Sequence, residues 1–68
     1  MSAIEAYKLV LKYAYEGYST DTCTEYKDFY MFPYGGSSVL CVDKRTGKVY
    51  ESSRWRMPKE DWIFVDLV

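Results

Sequence analysis

Arg54, Trp55 and Arg56 form the segment whose residue types are best suited to binding chemistry. Two guanidinium groups beside an indole can hold phosphates while the ring stacks on a base, as in single-stranded nucleic-acid binding. The same residue types are enriched at protein-binding hot spots. If Trp55 instead packs on the core and both arginines are solvated, the segment has only a structural role. The residues alone leave these three interpretations open.

The same segment lies in a basic stretch. Residues 44–59 contain six basic side chains and one acidic side chain, a local charge of +5, although the whole chain carries −1. Such asymmetry makes single-stranded nucleic-acid binding through residues 44–59 the alternative functional hypothesis. Solvated turns rich in lysine and arginine would explain the same composition.

Acid–base, nucleophilic and metal chemistry find little support. The chain has no histidine, which removes the commonest general base and the Ser-His and Cys-His pairs. Cys41 lies between two aliphatic residues and is expected to act as a small hydrophobic side chain, whereas Cys23 is expected to be more exposed and not to form a disulfide with it. The acids are scattered and no zinc or nucleotide-binding pattern occurs. We therefore predict no catalytic residue, no metal site, no cofactor and no enzymatic activity.

The segment from Asp43 to Lys48 is the most patterned of the chain, and it could be a phosphate loop or a turn. A phosphate loop needs several glycines leading into a helix, whereas here the single Gly47 leads into a β-prone run. Asp43 can accept hydrogen bonds from nearby backbone amides, and Gly47 supplies a positive φ. The segment is predicted to be a β-hairpin turn.

An N-terminal helix is predicted over residues 3–16. Ser2 and Glu5 have the spacing of a capping box, and Gly17 has the position of a left-handed helix cap. The apolar stripe that would face the core has helical spacing and consists of Ile4, Tyr7, Leu11, Ala14 and Tyr18, widened by Ala3 and Val10.

Three strands of an antiparallel meander are predicted next, at residues 24–32, 38–43 and 48–53, from their aromatic and β-branched content. A turn centred near Gly35 and Gly36 would pair Tyr30 with Cys41. The helix would then cover an aliphatic face of Phe29, Met31, Leu40, Val42 and Val49. The opposite, tyrosine-rich face would carry Tyr26, Tyr30, Phe32, Val39, Cys41 and Tyr50.

The C-terminal residues 58–68 admit two interpretations. The β-branched and aromatic run from Trp62 onward favours a fourth strand. Pro58 followed by Lys59, Glu60 and Asp61 instead has the pattern of a helix start, with proline first and acids in the first turn. The strand is the preferred interpretation.

The order of a helix, an aromatic strand and a hairpin resembles small bacterial immunity proteins of the YrhB type and, more loosely, PepSY-type domains. The residues that carry the resemblance are Phe29, Tyr30, Met31 and Phe32 on the first strand, and Val42, Asp43, Thr46, Gly47 and Val49 at the hairpin. The resemblance implies protein binding, with toxin neutralisation as one form of it.

We therefore expect one domain, residues 1–68, of the α+β class, with one N-terminal helix packed on a three- to four-stranded antiparallel meander. The expected function is that of a non-catalytic protein-interaction module, an immunity or inhibitor protein of bacterial or phage origin. The expected partner is a protein or a second copy bound through the tyrosine-rich face. No membrane partner is expected, and the expected location is cytoplasmic because the chain contains neither a long apolar run nor a signal-peptide pattern. The partner-binding residues are predicted to be Tyr26, Tyr30, Tyr50, Arg54, Trp55 and Arg56.

Overall fold

The computed structural model describes residues 1–60 and 62–68. Within these residues the chain forms one N-terminal α-helix and one five-stranded antiparallel sheet, so the predicted α+β class is confirmed and the predicted number of strands is too low. A short 3-10 helix, Arg54–Arg56, follows the fourth strand. The other elements are α1 (Ala3–Tyr13), β1 (Thr22–Glu25), β2 (Phe29–Pro33), β3 (Ser38–Asp43), β4 (Val49–Ser53) and β5 (Ile63–Asp66). None of the helices in the described part of the chain is long and apolar enough to cross a membrane.

The predicted capping box is present at the start of α1. The Glu5 amide donates to Ser2 Oγ at 3.2 Å, and the Ser2 amide donates to Glu5 Oε1 at 2.8 Å. The helix ends at Tyr13, three residues earlier than predicted, because Ala14 is extended. From there the chain enters a cluster of tyrosine rings in which the Tyr15 amide donates to the hydroxyl of Tyr34. Tertiary contacts of the tyrosines thus replace the last predicted turn of helix.

The buried stripe of α1 is centred on Ala6 and Val10, both fully buried. Ile4 and Leu11, predicted at the core, lie at the edges of the contact and remain largely exposed. Two small side chains at the centre let the helix lie close to the sheet. It packs mainly over β2, β3 and β4, and the core beneath it also contains Cys23 of β1, with Val65 of β5 packed against it.

The strand predicted at residues 24–32 is two strands joined by a tight turn. Within it, the Tyr26 amide donates to the Phe29 carbonyl at 2.9 Å, and the two rings stack with centroids 4.6 Å apart. The turn contains neither glycine nor proline, the strongest sequence signals of a chain reversal, so it was not recognised between the two strands.

The strands are ordered β4-β3-β2-β1-β5, and the preferred interpretation of the C-terminus as a strand is confirmed for residues 63–66. The residues Pro58 to Glu60 do not form the alternative helix, and Asp61 lies outside the described residues. β5 pairs with β1, at the opposite margin of the sheet from β4, its predecessor in the chain. Residues 54–60 therefore cross the sheet on the face opposite the helix, where Met57 packs against the buried cluster of Tyr26, Met31, Val39 and Cys41.

The predicted register of the β3–β4 hairpin is confirmed, with Cys41 opposite Tyr50, but that of the β2–β3 hairpin is wrong by one residue. Tyr30 lies opposite Val42 instead of Cys41. The loop between the paired residues Pro33 and Val39 has an odd number of residues, whereas the predicted turn had an even number. A shift of one residue moves every side chain of β2 to the other face.

This shift changes the composition of both faces. Tyr30 and Phe32 lie beneath the helix with Leu40 and Val42. Met31, predicted beneath the helix, lies on the opposite face with Val39, Cys41 and Tyr26. The predicted tyrosine-rich face is therefore not assembled.

The predicted hairpin turn between β3 and β4 is confirmed. Asp43 Oδ1 accepts hydrogen bonds from the amides of Arg45 at 2.8 Å and Thr46 at 3.0 Å, and Gly47 has a φ of 75°. These hydrogen bonds hold the pKa of the Asp43 carboxyl below its ordinary value, and the bond from the Thr46 amide has the larger effect.

An Asp43→Asn variant should therefore be modestly less stable than the wild type at neutral pH. A lowered folded-state pKa contributes stability above the unfolded value, about 3.9, which is lost as the pH falls through the folded value. Urea denaturation of both proteins at a series of pH values measures the difference. It should shrink below about pH 4; a difference that stays constant down to acid pH would contradict this role of Asp43.

Candidate functional site

The 3-10 helix Arg54–Arg56 is held in place by the loop between β2 and β3. The Arg54 amide donates to the Ser37 carbonyl at 2.9 Å, and its Nε makes a long contact of 3.4 Å with the Gly36 carbonyl. The Met57 amide closes the turn on the Arg54 carbonyl at 3.2 Å. Positive φ angles at Gly35 and Gly36 shape the loop that presents these carbonyls. A short segment that would be mobile alone is thus anchored at its first residue.

Trp55 is the central residue of this turn and is 85% exposed. The interpretation that it packs on the core is therefore wrong. Arg54 and Arg56 are also exposed, so the turn presents an indole between two guanidinium groups to solvent, as two of the three interpretations require.

A groove of about 490 Å³ lies between this turn and the sheet. Its floor is apolar, from Tyr26, Met31 and Met57, and Arg54 and Lys59 carry positive charge at its sides. Trp55 and Pro58 complete the lining. The groove exists because the crossing segment spans the open face of the sheet without filling it.

The structure brings only some of the predicted site residues together. Tyr26, Arg54 and Trp55 line the groove, and Arg56 belongs to the turn that forms its rim. Tyr50 is 38% exposed and lies on the same face, at the β4 margin, without lining the groove.

Tyr30 is separated from these residues. It lies beneath the helix at 3% exposure, and its hydroxyl donates to the Met1 carbonyl at 3.0 Å. The predicted register of the β2–β3 hairpin, which was wrong by one residue, had placed Tyr30 on the face opposite the helix. In the structure Tyr30 has no part in the groove.

Residues that sequence reasoning missed supply the groove's floor and one side: Met31, Met57, Pro58 and Lys59. Met31 was assigned to the helix-covered face, and the crossing of residues 57–60 over the sheet was not predicted. Pro58 was considered only as part of a possible helix start, and Lys59 only there and as one of the basic side chains of residues 44–59. Without the position of β5, no local signal assigns this segment to a groove.

The basic stretch, residues 44–59, does not form one continuous surface. The β3–β4 turn and the 3-10 helix lie at opposite ends of β4, a separation of about 20 Å for six extended steps. At the turn, Lys44 Nζ is paired with Glu25 Oε2 at 2.7 Å and lies 4.9 Å from the centre of the Tyr30 ring. Its charge is thereby largely offset.

The two cysteines are free thiols on opposite faces of the sheet, and both are buried. The expectation of a more exposed Cys23 is therefore wrong. Burial raises the pKa of each thiol to about 11, so both are protonated at neutral pH. Among the residues that the structure describes, no group of three or more cysteine and acidic side chains is placed to hold a metal ion.

Comparison with known protein families, with curated proteins and with solved structures finds no match to this chain.

Proposed function

We propose that this protein is a non-catalytic protein-interaction module whose groove binds an acidic segment of a partner protein together with one apolar side chain. The observation that carries the proposal is the exposure of Trp55 on an anchored turn beside an apolar groove. Inhibition of an enzyme or a toxin, as the resemblance to immunity proteins implies, is one way in which such binding would act.

The exposure of Trp55 is energetically unusual in so small a domain. A tryptophan side chain buries on the order of 200 Å², which corresponds to a hydrophobic stabilisation of up to about 5 kcal/mol. In the free protein most of this stabilisation is not realised, since the ring is 85% exposed. A partner that covers the ring recovers it, and buried tryptophans beside arginine are typical energetic centres of protein interfaces.

The lining of the groove indicates the chemistry of the partner. Met31 and Met57 are unbranched side chains that adapt to the shape of an inserted apolar group. The stretch from Arg54 to Lys59 holds three cations and no acid, which complements carboxylates on the partner. An apolar or aromatic residue flanked by aspartate or glutamate satisfies both parts of the groove.

Single-stranded nucleic acid is also anionic and stacks on tryptophan, but two observations favour a protein. A strand of nucleic acid needs a track of cations, and the basic residues are divided between two ends of the sheet. The floor of the groove is built from methionine and tyrosine side chains instead of additional cations. Protein binding is therefore the proposed function, and nucleic-acid binding is the alternative that the same experiment detects.

The buried, protonated thiols support the non-catalytic part of the proposal, because a thiolate is the reactive form of cysteine.

The proposal is tested by selecting a displayed random peptide library on the immobilised wild-type protein and, in parallel, on a Trp55→Ala variant. We expect enrichment, on the wild type only, of peptides with an aromatic or large aliphatic residue beside acidic residues. A parallel arm offers a pool of single-stranded oligonucleotides over a series of salt concentrations. Peptide enrichment that is equal on both proteins, or absent, would overturn the proposal. Retention of oligonucleotides that weakens steeply with salt would establish the alternative.

A further inference from the structure

The outer edge of β5 is an interaction surface that the groove does not include. β5 is the last strand of the sheet, so one of its edges pairs with β1, and the other faces no strand among residues 1–60 and 62–68. Both of its faces also expose apolar side chains: Ile63 is 60% exposed and Phe64 is 73% exposed. Val65 is half-buried, and the first charged residue of the strand is Asp66.

The opposite margin of the sheet is protected and β5 is not. β4 carries Glu51 at its centre and ends in two serines, and charged or polar side chains on an edge strand disfavour pairing with another strand. β5 instead presents three apolar residues in succession on an unpaired edge, which is the arrangement that promotes strand addition.

The pattern of β5 is complementary to itself. In a symmetric pair of antiparallel strands, the two-fold axis is perpendicular to the sheet, so opposite residues lie on the same face and their numbers differ by zero or by an even number. An axis through Phe64 places Phe64 opposite its own copy and Ile63 opposite Val65. An axis through Val65 would instead place Phe64 opposite Asp66, an apolar ring against a carboxylate. Only the first register pairs Ile63, Phe64 and Val65, the three apolar residues of the strand, with one another, because an axis through Ile63 would pair Phe64 with Trp62.

We infer that this protein forms a symmetric dimer in which the β5 strands of two copies pair antiparallel about Phe64, making one continuous ten-stranded sheet. In this register Trp62 lies opposite Asp66 of the second copy. The inference does not rest on the proposed function, because none of the β5 residues lines the groove.

The area available predicts a weak dimer. Three apolar side chains from each copy, at no more than about 200 Å² each, stay below the roughly 1,200 Å² of stable interfaces, and these side chains are already partly covered. Backbone hydrogen bonds between the strands add to the pairing. We expect a dissociation constant between about 10 µM and about 1 mM, so the protein is monomeric when dilute and dimeric when concentrated.

Sedimentation equilibrium of the wild-type protein over this concentration range measures the dimer, beside Phe64→Lys and Tyr50→Lys variants. Phe64 and Tyr50 are the two ends of one cross-strand row that passes through Thr24, Met31 and Cys41. Two lysines directly opposite each other at Phe64 should weaken the dimer more than tenfold, whereas the matched change on β4 should leave it unchanged. A wild-type protein that remains monomeric at about 1 mM would overturn the inference. So would a dimer that Phe64→Lys does not weaken.

A cysteine cross-link tests the register without disrupting the strand. The native thiols are buried, so a cysteine introduced on β5 is the reactive one. Phe64→Cys should form an intermolecular disulfide under mild oxidation, because the two copies of residue 64 face each other at the axis. Val65→Cys should not do so, since each copy of Val65 faces Ile63. Cross-linking of Val65→Cys alone would refute the register. A Trp55→Ala variant should dimerise normally while losing peptide binding, so failure of the dimer and failure of the proposed function are distinguished.

Discussion

A Trp55→Ala variant is expected to lose at least about 30-fold in affinity for the most enriched peptide of the selection, corresponding to 2 kcal/mol or more. The indole forms one wall of the groove and is the largest apolar surface that a partner can cover there. The variant should be as stable as the wild type within about 0.5 kcal/mol, because Trp55 makes little contact with the core. Isothermal titration calorimetry measures the affinity, and urea denaturation measures the stability.

Trp62→Ala is the matched control for this loss. Trp62 is the other tryptophan of the chain and is 42% exposed. It packs edge-to-face against Phe64 on β5 and does not line the groove. Its removal should leave peptide affinity unchanged. Equal losses of peptide affinity in the two variants would show that the peptides bind any exposed tryptophan side chain. The groove would then not be the binding site. An Arg54→Gln, Lys59→Gln double variant should bind the peptide less tightly and with a weaker dependence on salt, since exposed charge pairs are screened.

A Phe32→Ala variant is expected to be destabilised by about 3–5 kcal/mol. Phe32 is fully buried between the helix and the sheet, and its ring stacks on Tyr7 with centroids 5.9 Å apart. A domain of this length is stabilised by only roughly 3–10 kcal/mol in total. The variant should therefore be largely unfolded at 37 °C, or its urea unfolding midpoint should fall to a small fraction of the wild-type value. Far-ultraviolet circular dichroism measures both.

Phe64→Ala is the control of the same residue type on the same sheet. Phe64 is 73% exposed, and its truncation in the dilute monomer should change the free energy of unfolding by about 0.5 kcal/mol or less. The contrast tests the register of the β2–β3 hairpin and the position of the helix together. If Phe32→Ala cost under about 1 kcal/mol, the helix would not pack on this part of the sheet.

Sequence reasoning identified the part of the candidate site that is local. Arg54, Trp55 and Arg56 are consecutive, and their residue types indicate binding in any surface context. The groove behind them is not local, because its apolar floor comes from Tyr26, from Met31 on β2 and from Met57, and Pro58 and Lys59 complete its lining. Tyr26 was predicted to bind a partner as part of a tyrosine-rich face that is not assembled, and the structure places it in the lining of the groove.

Local sequence also determined several elements of the fold. The capping box at Ser2 depends on two side chains three residues apart, and the turn at Asp43 depends on one carboxylate, two neighbouring amides and one glycine. β3 was predicted with its observed bounds because the turns on both sides contain glycine. In each case the stabilising contacts join residues within a few positions of one another, so the pattern is readable without the fold.

Tertiary structure decided the rest, for reasons that no local pattern contains. The early end of α1 follows from contacts between tyrosines that are far apart in sequence. The face on which Tyr30 lies depends on the β2–β3 loop, which can have an odd or an even number of residues between the paired positions. Either number buries apolar side chains on both faces, so the hydrophobic pattern does not decide between them. The apolar composition of β5 predicts a strand, but whether its edge is covered depends on its position in the sheet. The pairing of β5 with β1 places β5 at the margin of the sheet. It also carries residues 57–60 across the face opposite the helix, where residues 57–59 line the groove.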